Sequence, residues 1–318
     1  MTSEETRDGV PLTNLDQPLF EGAEATKRDL VDYLDAVRDR ILPELADRPL
    51  SVIRVHRGQE AFMQKNVPRY TPDWVRTVRL WSESSRRDVD YALCNERRTL
   101  IWFANQRAVE YHPTLVRVDS FESPTHLVID LDPPDSDAFA MAVRAAHLVR
   151  AALAELGLEG AVKTSGSKGL HVYVPVDGRP AMVDAAAATR AIAERAARLD
   201  PEIATTAFMK EDRGGKVFID ATRVGWATVV AAYSPRARPG TPVSFPVAWD
   251  DLDAVSPQEF TVHSAVGLLG DRDPWADHMP PPQRLNAALI DEGASIPGGR
   301  VQAMHEGRRR ARAARNHG

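Results

Sequence analysis

The stretch that most constrains this 318-residue chain is Thr125–Asp135, which reads T-H-L-V-I-D-L-D-P-P-D. Leu127, Val128 and Ile129 form a short apolar run rich in β-branched residues, which predicts a buried strand. Pro133 and Pro134 end it, because proline has no N–H to offer a sheet ladder. Side chains two apart on a strand point the same way, so Asp130 and Asp132 leave the strand end side by side. Two like charges that close repel, and a cation between them relieves the repulsion. A D-x-D pair alone also suits two solvated aspartates, and the rest of the chain decides between the readings.

Two further segments carry related signals. Residues 163–174, K-T-S-G-S-K-G-L-H-V-Y-V, hold Ser165, Gly166, Ser167, Lys168 and Gly169 in a small-residue loop between strands, with His171 just beyond. Glycines let successive backbone N–H groups converge on an anion, the hydroxyls add donors, and Lys168 adds charge. This is not a Walker A loop, because the G-x-x-x-x-G-K-[ST] spacing is missing and a strand follows where a helix is required. His171 reads either as a buried histidine bonded to a backbone carbonyl or as a phosphate donor. Residues 216–220, K-V-F-I-D, are again an apolar strand ending in a carboxylate, Asp220. Three strand-end carboxylates beside an anion-cradling loop fit two-metal phosphoryl or nucleotidyl transfer. Ligation by oxygen alone points to Mg²⁺ or Mn²⁺ over zinc.

The composition, 43% hydrophobic and 27% charged, is that of a soluble chain able to bury a core, as one large domain or two smaller ones. A single cysteine, Cys94, excludes an internal disulfide framework and suits a reducing cytoplasm. The N-terminus carries Glu4, Glu5 and Asp8 without an apolar core, so it is no secretory signal. No apolar run approaches the roughly 18 residues of a membrane span. A net charge of -5 argues weakly against nucleic-acid binding, yet basic residues gather. Residues 51–117 hold twelve Lys and Arg against seven acids, a net of +5, with Phe62, Tyr70, Trp74 and Trp81 interleaved. Such a surface tracks phosphates and stacks bases, although a solvated charged face is the plainer alternative.

Along the chain, residues 1–12 read as a disordered polar tail. Thr26 and Asp29 form a capping pair for a helix over 27–45. Strands are expected at 51–55, 74–81 and 90–93, and a helix over 100–110. After the D-x-D strand, helix 138–156 and strand 161–164 predict a parallel strand–helix–strand unit. Strand 170–174 and helix 182–199 follow, then strand 217–219 with 228–232 as its hairpin or sheet neighbour. From Ser234 onward, proline and arginine predict chain extended over the surface, and 296–318 reads as a basic, disordered tail.

The set H-L-V-I-D-L-D-P, S-G-S-K-G-L-H-V and K-V-F-I-D resembles the three motifs of the archaeo-eukaryotic primase superfamily. More closely, the chain resembles the polymerase domain of bacterial ligase D and its stand-alone mycobacterial-type relatives, the Prim-PolC group associated with ligase C. T-N-L-D at 13–16, A-T-K-R-D-L at 25–30, D-R-P-L at 47–50, F-M-Q-K-N at 62–66, V-E-Y-H-P at 109–113 and A-Y-S-P-R at 232–236 extend the resemblance to about residue 285. It implies an α/β (α+β) primase catalytic fold of mixed sheets flanked by helices. A primase-polymerase domain over 13–295 is expected, with a DNA-binding part at 13–120, a catalytic core at 121–255 and a C-terminal wrap at 256–295. The implied activity is template-directed, primer-extending gap filling in DNA break or excision repair, by NTP or dNTP transfer with ribonucleotides preferred.

In the resemblance, Asp130, Asp132 and Asp220 hold two divalent ions, Mn²⁺ or Mg²⁺. Ser165, Lys168, His171, Arg213 and Arg236 contact the incoming triphosphate, and His112 packs against its base or sugar. Lys27 holds the 5′-phosphate of a gapped or broken duplex and Phe62 stacks on the template, while Arg54 and Lys65 lie in the matching basic region. The implied setting is a monomer in the cytoplasm, at the nucleoid, working with a separate ATP-dependent ligase of the ligase C type and with Ku. Three departures stand out: Gln17 replaces the family's usual second lysine, Phe62-Met63 replaces a Phe-Phe-like pair, and Val224 stands where many relatives carry asparagine. Two rivals remain at this point. A haloacid-dehalogenase-type phosphatase also begins with a strand ending in D-x-D, but Pro134 occupies the place of its threonine or valine. A non-catalytic nucleic-acid-binding relative is the other.

Overall fold

The computed structural model describes residues 5–56, 58–82 and 86–298. Arg57 and Glu83, counted above among the charges, and the basic segment after Gly298 lie outside the described residues. In chain order the elements are β1 (Thr6–Arg7), β2 (Val10–Pro11), α1 (Lys27–Ala36), α2 (Arg38–Leu45), β3 (Leu50–Arg54), β4 (Phe62–Gln64), β5 (Thr77–Ser82) and β6 (Arg87–Ala92). Then come α3 (Arg97–Asn105), β7 (Ala108–Pro113), β8 (His126–Asp132), α4 (Phe139–Glu155), β9 (Ala161–Thr164), β10 (Leu170–Pro175) and α5 (Met182–Leu199). β11 (Ala204–Thr205), β12 (Val217–Asp220), β13 (Pro246–Val247), α6 (Ala265–Leu269), α7 (Pro274–His278) and α8 (Ala287–Ser295) complete the chain. They form two compact units: Met1–Phe121 with Lys163–Ser167 and Gly225–Met279, and Glu122–Val162 with Lys168–Val224 and Pro280–Gly318.

The first unit is built on a five-stranded sheet of order β4-β3-β6-β5, with β7 also paired to β3. The Thr26 hydroxyl caps α1 through the Asp29 N–H, and the Asp29 carboxylate accepts the Thr26 N–H at 2.7 Å, the expected capping box. The helix expected over 27–45 is broken at Val37, whose ψ of 6° turns the chain while Tyr33, Leu34, Val37 and Ile41 all stay buried. Residues 5–12 are not a disordered tail. β1 and β2 form a hairpin, and Arg7 pins it to α1 through Asp32 at 2.5 Å. Helix 100–110 ends early, at Asn105. Arg107 takes φ 61°, its guanidinium held by the Val55 and Pro18 carbonyls, and this reversal starts β7.

Residues 225–279, expected partly in the catalytic core, cluster with this first unit. The Tyr33 hydroxyl donates to the Tyr233 carbonyl at 2.8 Å, and the Tyr233 hydroxyl reaches Asp273 at 2.5 Å. Residues 228–232 run beside β7, with Val229 and Ala231 donating N–H groups to Pro113 and Tyr111. They are not a partner of strand 217–219. Nor is the chain after Ser234 a surface wrap: Ser234, Thr241, Val243 and Ser244 are fully buried. Lys163 and Thr164, the second half of β9, sit here with β13, and Thr164 donates its N–H to the Phe245 carbonyl.

The second unit carries the sheet order β11-β12-β8-β10, then the Ala161–Val162 half of β9. β8 is the middle strand and is antiparallel to both neighbours, β10 and β12. The expected parallel pair of β8 and β9 does not form, because the following strand, β10, inserts between them. Helix α5 covers the expected 182–199, and α4 and α5 pack on each other and on β8. Both are alanine-rich, which lets backbones approach closely. The closest approach is α8 on α5: a Cβ at Gly293 would lie 1.8 Å from the Ala187 carbonyl oxygen. The bidentate Arg195–Glu292 pair, at 2.6–3.1 Å, flanks that contact. Gly293→Ala must therefore push α8 off α5, at a cost of about 1–3 kcal/mol in urea unfolding. An unchanged unfolding midpoint would show that the two helices do not meet this closely.

Candidate active site

The strand registers bring the acidic residues together. Asp220 on β12 lies directly opposite Asp130 on β8, and His171 on β10 lies directly opposite Asp130 on the other side. Directly paired residues on antiparallel strands keep their Cβ atoms about 4.5–5.5 Å apart, so these three side chains form one row across the sheet. Asp132 sits two residues along β8, in the same direction, opposite Phe218. Leu127, Ile129 and Leu131 occupy the alternate positions and are fully buried.

Each carboxylate has basic company. His171 Nε2 lies 3.4 Å from Asp130 Oδ1, so this buried histidine faces a carboxylate. Arg223 Nε lies 3.4 Å from Asp130 Oδ2 and 3.3 Å from Asp220 Oδ2. The other oxygen of Asp220 accepts the Thr222 N–H at 2.8 Å, which fixes the rotation of the carboxylate. Burial pushes the Asp132 carboxyl up from its ordinary range, and the charge of Asp130 pushes it further. Lys168 and Arg213 pull it back, and Asp220 adds to the rise. The trio repels itself, as the D-x-D spacing predicts. Among the described residues, no three His, Cys, Asp or Glu side chains are drawn close enough to hold a metal ion.

The small-residue loop is divided between the units, and its glycines have specific reasons. Gly169 beside β8 leaves room that a side chain would take, since a Cβ there would lie 2.1 Å from the Leu131 carbonyl oxygen. Gly166 takes φ +65°, and a Cβ would lie 2.6 Å from the Arg236 side chain. Lys168 anchors its ammonium on the Pro133 carbonyl at 2.5 Å, just past the aspartates. Arg213 lays its guanidinium over the Phe218 ring, 3.8 Å from the centroid, and donates to the Ala207 and Phe208 carbonyls. Asp130, Asp132, Asp220, Lys168, His171 and Arg213 all belong to the second unit.

Ser165, Arg236 and His112 belong to the first unit, where a residue not singled out in the sequence organises them. Glu110 accepts from His112 Nε2 at 2.8 Å, lies 3.0 Å from Arg236 Nε, and accepts the Ala237 N–H at 2.9 Å. Arg236 also donates to the Ser165 carbonyl. Burial pushes the Glu110 carboxyl up, but His112 and the Arg236 charge outweigh it and hold it down at about 2. Burial pushes the His112 imidazole down, outweighing the opposing pull of Glu110, which favours the neutral ring as donor. The signal for Glu110 was available: it lies two residues before His112 on one strand, hence on the same face.

The expected DNA-contacting residues fare differently. Phe62 is exposed and stacks on His56 with ring centroids 5.2 Å apart. Lys65 is half-buried just after β4. Arg54 is buried, and its guanidinium is engaged by Gln64, Tyr70 and Gln106, so it orients neighbours and presents no free face. Lys27 is 3% exposed and donates to the Thr13 carbonyl at 2.5 Å. Burial and the Arg107 charge lower its ammonium to about 8. Other cations of the 51–117 region serve inside the unit: Arg97 pairs with Asp35, Arg79 with Asp90, and Arg98 covers Trp74.

A central antiparallel strand bearing D-x-D, with a third carboxylate across on the next strand, lies in a fold of the primase-polymerase type, the class of nucleotidyltransferases to which the comparisons assign the chain. The family model of the LigD primase-polymerase domain matches residues 26–275, and the chain belongs to that family. The chain is 32% identical over 280 residues to the bifunctional non-homologous end joining protein LigD of Bacillus subtilis, covering 86% of this chain and 45% of that protein. It is 33% identical over 253 residues to the multifunctional LigD of Mycolicibacterium smegmatis, covering 78% and 33%. The chain thus spans less than half the length of these relatives. A solved structure of the polymerase domain of Mycobacterium tuberculosis ligase D, in complex with DNA, matches with a TM-score of 0.78 at 29% identity, covering 92% of this chain and all of that one. The resemblance to ligase D polymerases and the primase-type fold are borne out.

Glu110 supplies a pH signature. Its depressed carboxyl contributes stability above the ordinary value of 4.5 and loses it as pH falls toward about 2. Glu110→Gln leaves Arg236 without its buried partner, so it should cost about 3–5 kcal/mol at pH 7. Urea unfolding at pH 7 and pH 3 should show that cost shrinking at the lower pH. An equal cost at both would remove the charge from the explanation.

Proposed function

We propose that this chain extends a primer across short gaps in broken DNA by template-directed nucleotidyl transfer at Asp130, Asp132 and Asp220. The observation that carries the proposal is the row formed by Asp220, Asp130 and His171 across three strands, with Asp132 two residues along. The donor set fits hard divalent cations: all three carboxylates offer oxygen, and their mutual repulsion calls for positive charge. Asp130, Asp132 and Asp220 would hold Mn²⁺ or Mg²⁺. When bound, such ions lower the pKa of an attacking hydroxyl and neutralise phosphate charge.

Around that centre, Lys168 and Arg213 bring fixed positive charge to the second unit, where a triphosphate carries its negative charge. Glu110 keeps His112 and Arg236 oriented in the first unit, for a base or sugar and for a phosphate. Phe62, with its exposed ring, suits stacking on a template base. Lys27 suits a 5′-phosphate, beside Gln17, which lends no charge. A phosphate arriving there would help hold the proton that burial disfavours. The non-homologous end joining named for the relatives supplies the setting, with a ligase activity sealing what is filled and Ku as a companion at the break.

Primer extension on a short gapped duplex with a 5′-phosphate tests the reading. With Mn²⁺ and either ribo- or deoxynucleotides, the wild type should fill the gap in a template-directed way, ribonucleotides faster. Asp130→Ala/Asp132→Ala should abolish filling while DNA binding persists. Binding without extension under either metal would overturn the polymerase reading in favour of a non-catalytic relative. The advantage of a 5′-phosphate over a 5′-hydroxyl gap in binding should decline as pH rises past about 8, where Lys27 loses its proton. A pH-independent advantage would remove Lys27 from that role.

A further inference from the structure

The three carboxylates of the second unit do not share one cation in this structure. Asp132 has Lys168 and Arg213 for neighbours, whereas Asp130 and Asp220 share the guanidinium of Arg223. One nitrogen, Arg223 Nε, lies 3.4 Å from Asp130 Oδ2 and 3.3 Å from Asp220 Oδ2, and so bridges carboxylates from two strands. Because Asp220 Oδ1 is held by the Thr222 N–H, Oδ2 is the oxygen left to face a cation. The corresponding Asp130 oxygen is the one turned away from His171. Arg223 thus takes the two oxygens best aimed at a shared ion.

We propose that Arg223 is a resident counter-ion, which holds the metal-free carboxylates together and competes with the divalent cation for Asp130 and Asp220. The proposal rests on the metal-binding reading given above and deepens it. Arg223 is a positioning residue: it acts through the two carboxylates. Its side chain is 41% exposed, so it can swing into solvent without disturbing the buried strands. Its exit is driven by competition for the carboxylate oxygens. Arg223 thereby biases the site toward ions that repay its displacement, and its departure exposes two oxygens at once.

The test is a Mn²⁺ titration without nucleotide or DNA, following the electron paramagnetic resonance signal of free Mn²⁺. Wild type, Arg223→Gln, Arg223→Lys and Asp130→Ala/Asp132→Ala are compared. Removing a half-exposed competing pair should tighten Mn²⁺ binding roughly threefold to tenfold in Arg223→Gln. Arg223→Lys, which keeps the charge, should stay near wild type and guards against a folding defect. In EDTA, Arg223→Gln should melt below wild type, and saturating Mn²⁺ should erase the difference. Equal or weaker Mn²⁺ binding by Arg223→Gln, with wild-type binding lost in the double aspartate variant, overturns the role of Arg223 alone. Unchanged Mn²⁺ binding, with weakened binding of a nucleoside triphosphate in a second titration of the same variants, does the same and makes Arg223 a phosphate contact. Absence of aspartate-dependent Mn²⁺ binding in both wild type and Arg223→Gln overturns the metal reading and this proposal with it.

Discussion

Mutual repulsion among Asp130, Asp132 and Asp220 is the constraint that the second unit is arranged around. Negative charges gathered on one face of a sheet are unfavourable unless positive charge is brought to them. The chain does this from several directions, with His171 on the neighbouring strand, Lys168 in the loop, Arg213 after a short 3₁₀ turn and Arg223 just past Asp220. The antiparallel registers matter because they put Asp220 and His171 on either side of Asp130. A slip of one residue would turn each to the opposite face.

The first unit solves a related problem with the opposite sign. Arg236 is half-buried, and Glu110 balances its charge while fixing His112 through the same carboxylate. Burial pushes that carboxyl up, but the His112 hydrogen bond and the Arg236 charge outweigh it and hold it far below the ordinary range. Among the described residues, charge is thus organised at short range, in small clusters. Several arginines that look from composition like a nucleic-acid surface instead tie helices, strands and loops together.

Much of the catalytic arrangement was legible in the linear sequence. The three strand-end aspartates, the small-residue loop, the α1 capping box and helix α5 all depend on residues close together in the chain, where proline, glycine and alternation act directly. What went astray depended on partners far apart. The insertion of β10 between β8 and β9 is a choice of neighbour, which local pattern does not encode. The burial of residues 241–247 required the first unit to cover a proline- and arginine-rich segment. The hairpin at 5–12 needed Arg7 to find Asp32, and Arg54 looked like a surface cation until Gln64, Tyr70 and Gln106 surrounded it.

By itself, then, the sequence determined which residues are the candidates for the chemistry, because D-x-D, S-G-S-K-G-L-H and K-V-F-I-D each combine a strand signal with groups that suit a charged substrate. Tertiary structure alone decided how those groups are held. Glu110 shows in the sequence only its two-residue spacing from His112, and Arg223 shows nothing local; both stand out through the carboxylate or guanidinium that the folded chain sets within about 3.5 Å of them. Electrostatic interaction depends on distance and burial, and both are properties of the fold.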